Sequence, residues 1–275
     1  MIAEVKFRLA GGAQPLILVP VSVNEKEFYD FILDTGAGTS LLSTELARNL
    51  QVEGAKMKEG QTAGGKVTVH LGNVESLAIG TAKVKNVEVG IVDLSDLSRA
   101  VGAKIDGDIG YNYLKNFRVT IDYKNNTLRL AQGRYETVGQ ASLSEVGFRR
   151  DHPAKPLVLI QALVNGSDTY EFALDTGSST TMISPDFAKH LKIQGVPIPP
   201  ISTGGGNKIS ASVGNLASLA VGQAQVQNLP VVVADSFGML NQATGASING
   251  IIGYNFLKEF ALTIDYPSEK IHFSK

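Results

Sequence analysis

One stretch decides the fold: Phe31-Ile32-Leu33-Asp34-Thr35-Gly36-Ala37, which the chain repeats as Phe172-Ala173-Leu174-Asp175-Thr176-Gly177-Ser178. In each copy an apolar run ends in an acidic residue, and a carboxylate at the end of a buried strand is costly unless its charge or its proton is stabilised. A single Asp-Thr-Gly is explained by a turn, in which Asp caps and Gly supplies a positive φ. Two copies at equivalent places instead indicate one site, in which Asp34 and Asp175 meet and share a proton.

The repetition extends over most of the chain. An offset of 141 residues relates the two acidic triplets (175 − 34), and an offset of 143 relates the segments 107–123 and 250–266. In those segments 12 of the 17 paired positions are identical, so two single-residue insertions account for the drift. The chain is therefore an internal duplication, with a first repeat at 1–134, a linker at 135–145 and a second repeat at 146–275.

Composition excludes several classes of function. The 275 residues carry a net formal charge of −1 without clusters of Lys or Arg, which gives no electrostatic reason to expect a nucleic acid partner. No apolar stretch approaches the length of a transmembrane helix, so no membrane insertion is expected. The chain has no cysteine, and its four histidines lack the spacing of metal ligands, so neither a metal nor another cofactor is expected.

The start of the sequence gives an expectation about location. Residues 1–10 lack the basic start and apolar middle of a signal peptide. The absence of cysteine, together with a start only a few residues before the first strand, suits a trimmed, exported bacterial protein. A periplasmic or secreted location is therefore favoured over a cytoplasmic one.

Local patterns predict a mostly β fold with a few short helices. Short β-branched runs bounded by Gly, Asn and Pro recur in both repeats, and each repeat ends in a predicted hairpin. Ser184 followed by Pro185 is a typical helix start, with Ser as N-cap and Pro at the first helical position. Short helices are predicted at 44–50, 111–117, 185–191 and 254–260. The segments 95–104 and 235–247 are predicted to be loops that shape pockets.

This order of motifs resembles the aspartic protease superfamily. The element from Phe31 to Ala37 and the closing Ile109-Gly110-Tyr111-Asn112 are similar to a repeat of the retroviral type. Two copies in one chain resemble the single-chain, retropepsin-like aspartyl proteases of bacteria. The resemblance implies an all-β acid-protease fold, mainly β with short helices, in which two retropepsin-like β-barrel repeats form an intramolecular pseudo-dimer.

Two glycine-rich hairpin tips favour the retropepsin-like arrangement over the pepsin-like one. Pepsin-like proteases also carry two Asp-Thr-Gly motifs, but they are usually longer and cover the cleft with one flap that bears a Tyr. Here both flap-equivalent hairpins have glycine-rich tips, and neither has a Tyr nearby. The predicted flap tips are Ala63, Gly64, Gly65, Gly204, Gly205 and Gly206.

The activity that the resemblance implies is that of an aspartic endopeptidase. Asp34 and Asp175 would form the catalytic pair in a cleft between the repeats, where one carboxylate takes a proton from water and the protonated partner polarises the peptide carbonyl. The partner would be a peptide or protein substrate, bound as an added strand beneath the flaps. A catalytically weak peptide-binding module that retains the fold is the alternative function. An obligate dimer of two chains is also open, although the short linker favours a monomer with an internal pseudo-twofold.

The resemblance gives the residues around the pair supporting roles. Thr35 and Thr176 are expected to reach across the pseudo-twofold to the backbone of the opposite triplet and to lock the two loops together. Gly36 and Gly177 are expected to let backbone amides approach the carboxylates, which a β-carbon would obstruct.

The repeats differ in the residue that follows each triplet, which is Ala37 in the first and Ser178 in the second. By resemblance, a Ser here can donate a hydrogen bond to the neighbouring carboxylate and favour its charged form. The expectation is that Asp175 is the preferred anion and Asp34 the preferred holder of the proton.

A second difference lies just before the closing motif. Asp108 stands where the second repeat has Ile251, at a position where the family has an apolar residue lining a substrate pocket. A carboxylate there would select a basic side chain on one side of the scissile bond, or it would face solvent at the edge of a loop. This departure also puts ordinary activity in question. The substrate-pocket candidates are Asp108, Ile109, Ile251 and Ile252.

Overall fold

The computed structural model describes residues 1–12, 14–62, 65–133, 142–150, 156–202, 208–235 and 237–275. Strands account for 54% of the structure and helices for 13%, which confirms the mainly β fold. The strands form two closed six-stranded barrels, one in each repeat, and a third sheet that joins the repeats.

The first barrel is built from residues of the first repeat. It closes in the order β3-β4-β9-β5-β8-β7, with β7 pairing back onto β3, while β2 and β6 extend the sheet. Its apolar strand faces supply much of the core; Val19, Val21 and Leu33, for example, have no exposed surface. The strands are β2 (Arg8–Ala10), β3 (Leu16–Val23), β4 (Phe28–Leu33), β5 (Leu41–Ser43), β6 (Lys56–Thr62), β7 (Gly65–Ile79), β8 (Ala82–Val92) and β9 (Gly107–Ile109).

The second barrel repeats this topology. It closes in the order β13-β14-β19-β15-β18-β17, with β17 pairing back onto β13, and β16 extends it. The equivalent closure confirms that the two halves are copies of one barrel. The strands are β13 (Val158–Val164), β14 (Asp168–Leu174), β15 (Met182–Ile183), β16 (Val196–Ser202), β17 (Lys208–Val221), β18 (Ala224–Ala234) and β19 (Gly250–Ile252).

A six-stranded sheet joins the repeats in the order β1-β11-β10-β20-β21-β12. At its centre Thr120 of β10 lies opposite Thr263 of β20, and their hydroxyl oxygens are 2.9 Å apart in a hydrogen bond. The two residues are equivalent at the offset of 143, so the pseudo-twofold axis passes between them. The strands are β1 (Ile2–Lys6), β10 (Arg118–Asp122), β11 (Thr127–Ala131), β12 (Ser142–Gly147), β20 (Ala261–Asp265) and β21 (Lys270–Ser274).

Aromatic side chains pack across the junction in two equivalent pairs. The ring of Tyr123 meets that of Tyr254 edge-on at 5.6 Å, and the ring of Tyr111 meets that of Tyr266 edge-on at 5.7 Å. One continuous hydrophobic cluster runs through both repeats and the joining sheet. The strand β12 begins at Ser142, so the last part of the segment expected as a linker already belongs to this sheet.

The short helices follow the predictions in part. The two capped helices are present, and Ser184 Oγ accepts from Phe187 N at 3.1 Å as expected of an N-cap. The helices α3 and α6 end earlier than predicted. No helix in the described part of the chain has the length and apolar character needed to cross a membrane. The helices are α1 (Thr44–Asn49), α2 (Ser95–Val101), α3 (Tyr111–Leu114), α4 (Pro185–His190), α5 (Phe237–Thr244) and α6 (Tyr254–Leu257).

The prediction of loops at 95–104 and 235–247 is wrong, because these segments contain α2 and α5. Leu94, Leu97 and Val101 pack against a small hydrophobic cluster of the first repeat, and Phe237 and Leu240 pack against its counterpart in the second. Apolar residues spaced by three and four positions give a helix one buried stripe. Packing of this stripe stabilises helices that the local sequence signals only weakly.

Candidate active site

The two acidic loops follow equivalent strands of the two barrels. Each loop leaves its barrel beside the strand of the closing motif, since β4 pairs in parallel with β9 and β14 pairs in parallel with β19. The ladder continues one residue into each loop, with Asp34 N donating to Ile109 O at 3.1 Å and Asp175 N donating to Ile252 O at 3.0 Å. These backbone hydrogen bonds therefore fix the position of each aspartate's Cα atom.

The two loops are bound to each other by four buried hydrogen bonds. Thr35 Oγ1 donates to Leu174 O at 3.1 Å and accepts from Thr176 N at 3.0 Å. Thr176 Oγ1 donates to Leu33 O at 2.7 Å and accepts from Thr35 N at 3.1 Å. Both threonines are buried. This is the crossed arrangement that the family resemblance implies, and it brings Asp34 and Asp175 together.

Glycine at the third triplet position is required by this close approach. A β-carbon on Gly36 would lie 2.7 Å from Asp175 Oδ2, and one on Gly177 would lie 2.6 Å from Asp34 Cγ. Contacts under 3.0 Å force a displacement, and both displaced groups would be carboxyls of the pair. Each glycine thus leaves room for the carboxyl of the opposite repeat.

The carboxyl groups of Asp34 and Asp175 lie within hydrogen-bonding reach of each other, but their surroundings are unequal. Asp34 Oδ1 accepts from Gly36 N at 2.7 Å and from Ala37 N at 3.0 Å. Asp175 Oδ1 accepts from Gly177 N at 2.8 Å. Backbone donors stabilise the charged form of a carboxyl group. The geometry therefore favours a charge on Asp34.

The pKa of Asp175 is shifted in the matching direction. Burial by the surrounding protein, and next the charge of Asp34, raise the pKa of Asp175 well above its usual value; the backbone amides of Gly177 and Gly36 oppose this rise without cancelling it. Two carboxyls in contact cannot both ionise cheaply, so the pair holds one proton and titrates as a unit.

The expected hydrogen bond from Ser178 to the neighbouring carboxylate is not formed. Ser178 Oγ donates to Thr180 O at 2.9 Å, a carbonyl two residues further along its own loop. The hydroxyl proton is therefore directed away from the carboxyls. The difference between Ala37 and Ser178 thus adds one hydrogen bond within the second loop.

An asparagine in each closing motif supports the loops, a role that the sequence pattern did not predict. Asn112 Oδ1 accepts from Ser40 N and from Ser40 Oγ, both at 2.8 Å. Asn255 Oδ1 accepts in the same way from Thr181 N at 2.7 Å and from Thr181 Oγ1 at 2.8 Å. The signal that could have identified them is the duplication, since Asn112 and Asn255 are equivalent at the offset of 143.

The four substrate-pocket candidates lie on two different faces of their strands, because side chains alternate along a strand. Ile109 and Ile252 have no exposed surface and belong to the main core, which corrects the expectation that they line a substrate pocket. Ile251 keeps 6% of its surface and packs in the smaller cluster of the second repeat. Side chains alternate between the two faces of a strand, so Asp108 and Ile251 lie on the opposite face from their neighbours.

The side chain of Asp108 is buried and does not lie at an exposed loop edge. Only 8% of its surface is exposed, and its carboxyl group lies within hydrogen-bonding reach of Asp34. Burial, followed by the charges of Asp34 and then Asp175, raises the pKa of Asp108 well above its usual value. Of the two readings left open by the sequence, the solvent-facing one is wrong. The structure adds a third carboxyl group to the pair.

The described residues include the arms of both flap hairpins and one predicted tip residue, Gly65. Gly65 begins β7, and the arms of both hairpins are formed by β6 with β7 and by β16 with β17. The predicted tip residues Ala63, Gly64, Gly204, Gly205 and Gly206 lie outside the described residues. Within the described ranges, no group of three or more His, Asp or Glu side chains is arranged to hold a metal ion.

Comparison with known families matches this fold and site. A model of the aspartyl protease family matches the chain twice, at residues 19–113 and at residues 160–256. Together the matches cover more than half of the chain, so the chain belongs to the aspartyl protease family, as a duplicated, retropepsin-like member. A comparison with curated proteins gives no match.

Proposed function

We propose that this chain is an aspartic endopeptidase with Asp34 and Asp175 as its catalytic pair. The observation that carries the proposal is the set of crossed hydrogen bonds of Thr35 and Thr176, which holds the two carboxyls within reach of each other. A pure binding protein has no evident need for two proton-sharing carboxyls at the junction of its repeats. Membership of the aspartyl protease family supports the same conclusion.

The reaction uses one water molecule and no covalent intermediate. The charged carboxyl takes a proton from the water, whose oxygen attacks the carbonyl carbon of the peptide bond. The protonated carboxyl donates its proton to the carbonyl oxygen, which gives a tetrahedral diol. Collapse of the diol breaks the C–N bond as a proton passes to the leaving amine. The two backbone N–H groups that donate to Asp34 Oδ1 support the first role for Asp34 and leave the second to Asp175.

The substrate is an extended peptide in a cleft between the two repeats. Hairpin arms from both repeats offer strand edges to which a peptide backbone can hydrogen-bond as an added strand. The pairing of β10 with β20 within one chain supports a monomer in which the pseudo-twofold is internal.

Digestion of proteome-derived peptides between pH 3 and 8 tests the proposal. Wild type is expected to generate new termini that mass spectrometry identifies, and Asp34→Asn, Asp175→Asn and addition of pepstatin are each expected to abolish them. Asp168→Asn, the same exchange at an exposed position, is the matched control and should cleave like wild type.

Two results would contradict the proposal. Cleavage that survives Asp34→Asn would remove the pair from the reaction. Peptide binding without cleavage by wild type at any pH would instead support a peptide-binding module that has retained the protease fold.

A further inference from the structure

The third carboxyl group has an environment that disfavours its charge. Asp108 is in β9 and lies opposite Ile32 of β4 and Leu41 of β5 in the sheet. Its Oδ1 is buried and has no hydrogen-bond partner among the residues that the structure describes. A buried carboxylate without a donor is costly, and a proton on the group removes that cost.

No cation of the described neighbourhood neutralises Asp108. The charges that act on it are those of Asp34, which follows β4, and Asp175, which follows β14. The neighbouring β5 has no titratable side chain. The acidic side chain of β4, Asp30, is paired with Arg8 at 2.8 Å. Lys104, in the segment before β9, is paired with Asp106 and Glu45, each at 3.1 Å.

We propose that Asp108 holds a proton, donates it in a hydrogen bond to Asp34, and so fixes which member of the catalytic pair is charged. In this assignment, which rests on the proposed function, three carboxyls share two protons and one negative charge. Asp34 is the anion and takes the proton from water, while Asp175 supplies the proton to the carbonyl oxygen. Asp108 keeps its proton throughout and is a positioning residue.

Three features agree with this distribution of protons. Asp34 Oδ1 accepts two backbone N–H groups, whereas Asp175 Oδ1 accepts only that of Gly177, although the Gly36 amide also acts on the Asp175 carboxyl. Burial and acidic neighbours raise the pKa of both Asp108 and Asp175. The second repeat has Ile251 in place of Asp108, so no equivalent donor is available to Asp175. A chain with two different repeats thereby acquires an asymmetry that identical repeats would lack.

The alternative role of Asp108, selection of a basic substrate side chain, needs an ionised carboxylate before substrate arrives. The same burial and the same two acidic neighbours work against that charge. A neutral carboxyl is a weak partner for Lys or Arg. We therefore treat a preference for Lys or Arg as a result that would overturn the proposal.

The pH dependence of kcat/KM separates the two roles. Asp108→Asn retains an N–H donor toward Asp34, whereas Asp108→Ile installs the residue of the second repeat and removes the donor. Loss of a donor makes the Asp34 carboxylate more basic. The acidic limb of the pH profile of kcat/KM for Asp108→Ile is therefore expected to move to higher pH by about one unit. The acidic limb of the profile for Asp108→Asn should stay near that of wild type.

A titration of the free protein tests the proton directly and requires no activity. In protein labelled with 13C at the aspartate carboxyl carbons, the resonance missing from Asp108→Asn identifies Asp108. We expect it to remain in the protonated form after the exposed aspartates have titrated. Should the wild type cleave no peptide, the proposed function fails, while this spectrum still decides whether Asp108 holds the proton.

Three outcomes would overturn the proposal. The first is titration of Asp108 together with the exposed aspartates. The second is an acidic limb that moves as far in Asp108→Asn as in Asp108→Ile. The third is a fixed limb in Asp108→Asn with loss of cleavage beside Lys and Arg, which would make Asp108 an anionic specificity residue. If Asp108→Ile does not fold, the titration and the Asn variant decide the matter.

Discussion

Thr35 and Thr176 each donate a hydroxyl proton to the residue that precedes the other's triplet, Thr35 to Leu174 O at 3.1 Å and Thr176 to Leu33 O at 2.7 Å. Each hydroxyl also accepts the backbone N–H of the other threonine. All four bonds cross between repeats, although the two threonines are 141 residues apart in sequence. These bonds therefore connect the two repeats as well as the two loops, so the placement of the carboxyls and the stability of the chain depend on the same atoms.

Replacement of either threonine by Ala should destabilise the whole chain. Thr35→Ala leaves Thr176 N and Leu174 O buried without their partner, and we expect a loss of about 3 kcal/mol in the free energy of unfolding. Thr35→Ser keeps the hydroxyl and should recover most of that loss. Urea unfolding measures both. If Thr35→Ala and Thr35→Ser unfold at the same midpoint, the hydroxyl contributes nothing to this connection between the repeats.

The glycines of the triplets should resist even the smallest side chain. A β-carbon in Gly36→Ala would displace the Asp175 carboxyl, so kcat/KM is expected to fall by roughly a hundredfold or more, because small misplacements of reacting groups are costly. Gly238→Ala is the matched control. Gly238 is in α5 and has no atom within 4 Å of the added carbon, so this exchange should be neutral or slightly stabilising. Equal activity of the two variants would contradict the close approach.

Much of this architecture follows from the sequence because the chain encodes it twice. The offsets that relate the two triplets and the two closing motifs predicted two equivalent repeats and the meeting of Asp34 with Asp175, and the family resemblance implied that each repeat is a barrel. Equivalent residues that lie on the pseudo-twofold axis contact each other by symmetry, as Thr120 and Thr263 do. A duplicated pattern thus carries tertiary information that a single pattern lacks.

Three features could not be predicted, because side-chain rotamers and tertiary packing determine them rather than local sequence. The hydroxyl of Ser178 donates to Thr180 O, and this choice of acceptor depends on the side-chain rotamer, which the sequence does not determine. Asp108 is one polar residue in a short strand, and only the packing of β4 and β5 around it determines that it is buried. The helix α2 has an apolar stripe but no side-chain cap at Leu94, so the usual signal for a helix start is missing.

The asparagines of the closing motifs should be structural supports of nearly equal weight. Asn112→Ala and Asn255→Ala each remove the acceptor for one backbone N–H and one hydroxyl, and also a donor, to Glu88 O and Pro230 O respectively. We expect each to lower the free energy of unfolding by about 2–3 kcal/mol. Asn49→Ala, at an exposed helical position, should change it by less than about 0.5 kcal/mol. A cost confined to one repeat would refute the equivalence.

The junction between the repeats should weaken in acid through Asp265. Burial opposes the charge of Asp265, but hydrogen bonds from Arg118 and Ser268 hold its pKa below the usual value. A lowered pKa contributes stability above the unfolded-state value, about 3.9, and this contribution is lost as the pH falls through the folded-state value. Asp265→Asn should therefore cost about 2 kcal/mol at pH 7 and little in strong acid.

The equivalent aspartate of the first repeat provides a matched comparison for this junction. Asp122 also caps a turn, accepting from Asn125 N at 2.9 Å, but it lies opposite Ala261 where Asp265 lies opposite Arg118. Asp122→Asn should consequently cost less than Asp265→Asn at pH 7. Denaturant unfolding at several pH values measures the difference. Equal costs for the two variants would show that the cross-repeat ion pair is not the source of the effect.

Asp108 should have the opposite effect on the dependence of stability on pH. Its raised pKa means that the unfolded chain loses this proton first, so the contribution of Asp108 is complete below about pH 3.9 and declines as the pH rises toward the folded-state value. Asp108→Asn has no such decline. Its stability relative to wild type should therefore increase with pH, by up to about 1.4 kcal/mol per pH unit across that interval. Denaturant unfolding of both proteins from pH 3 upward gives this difference. A difference that stays constant with pH would show that Asp108 ionises as readily in the folded protein as in the unfolded chain.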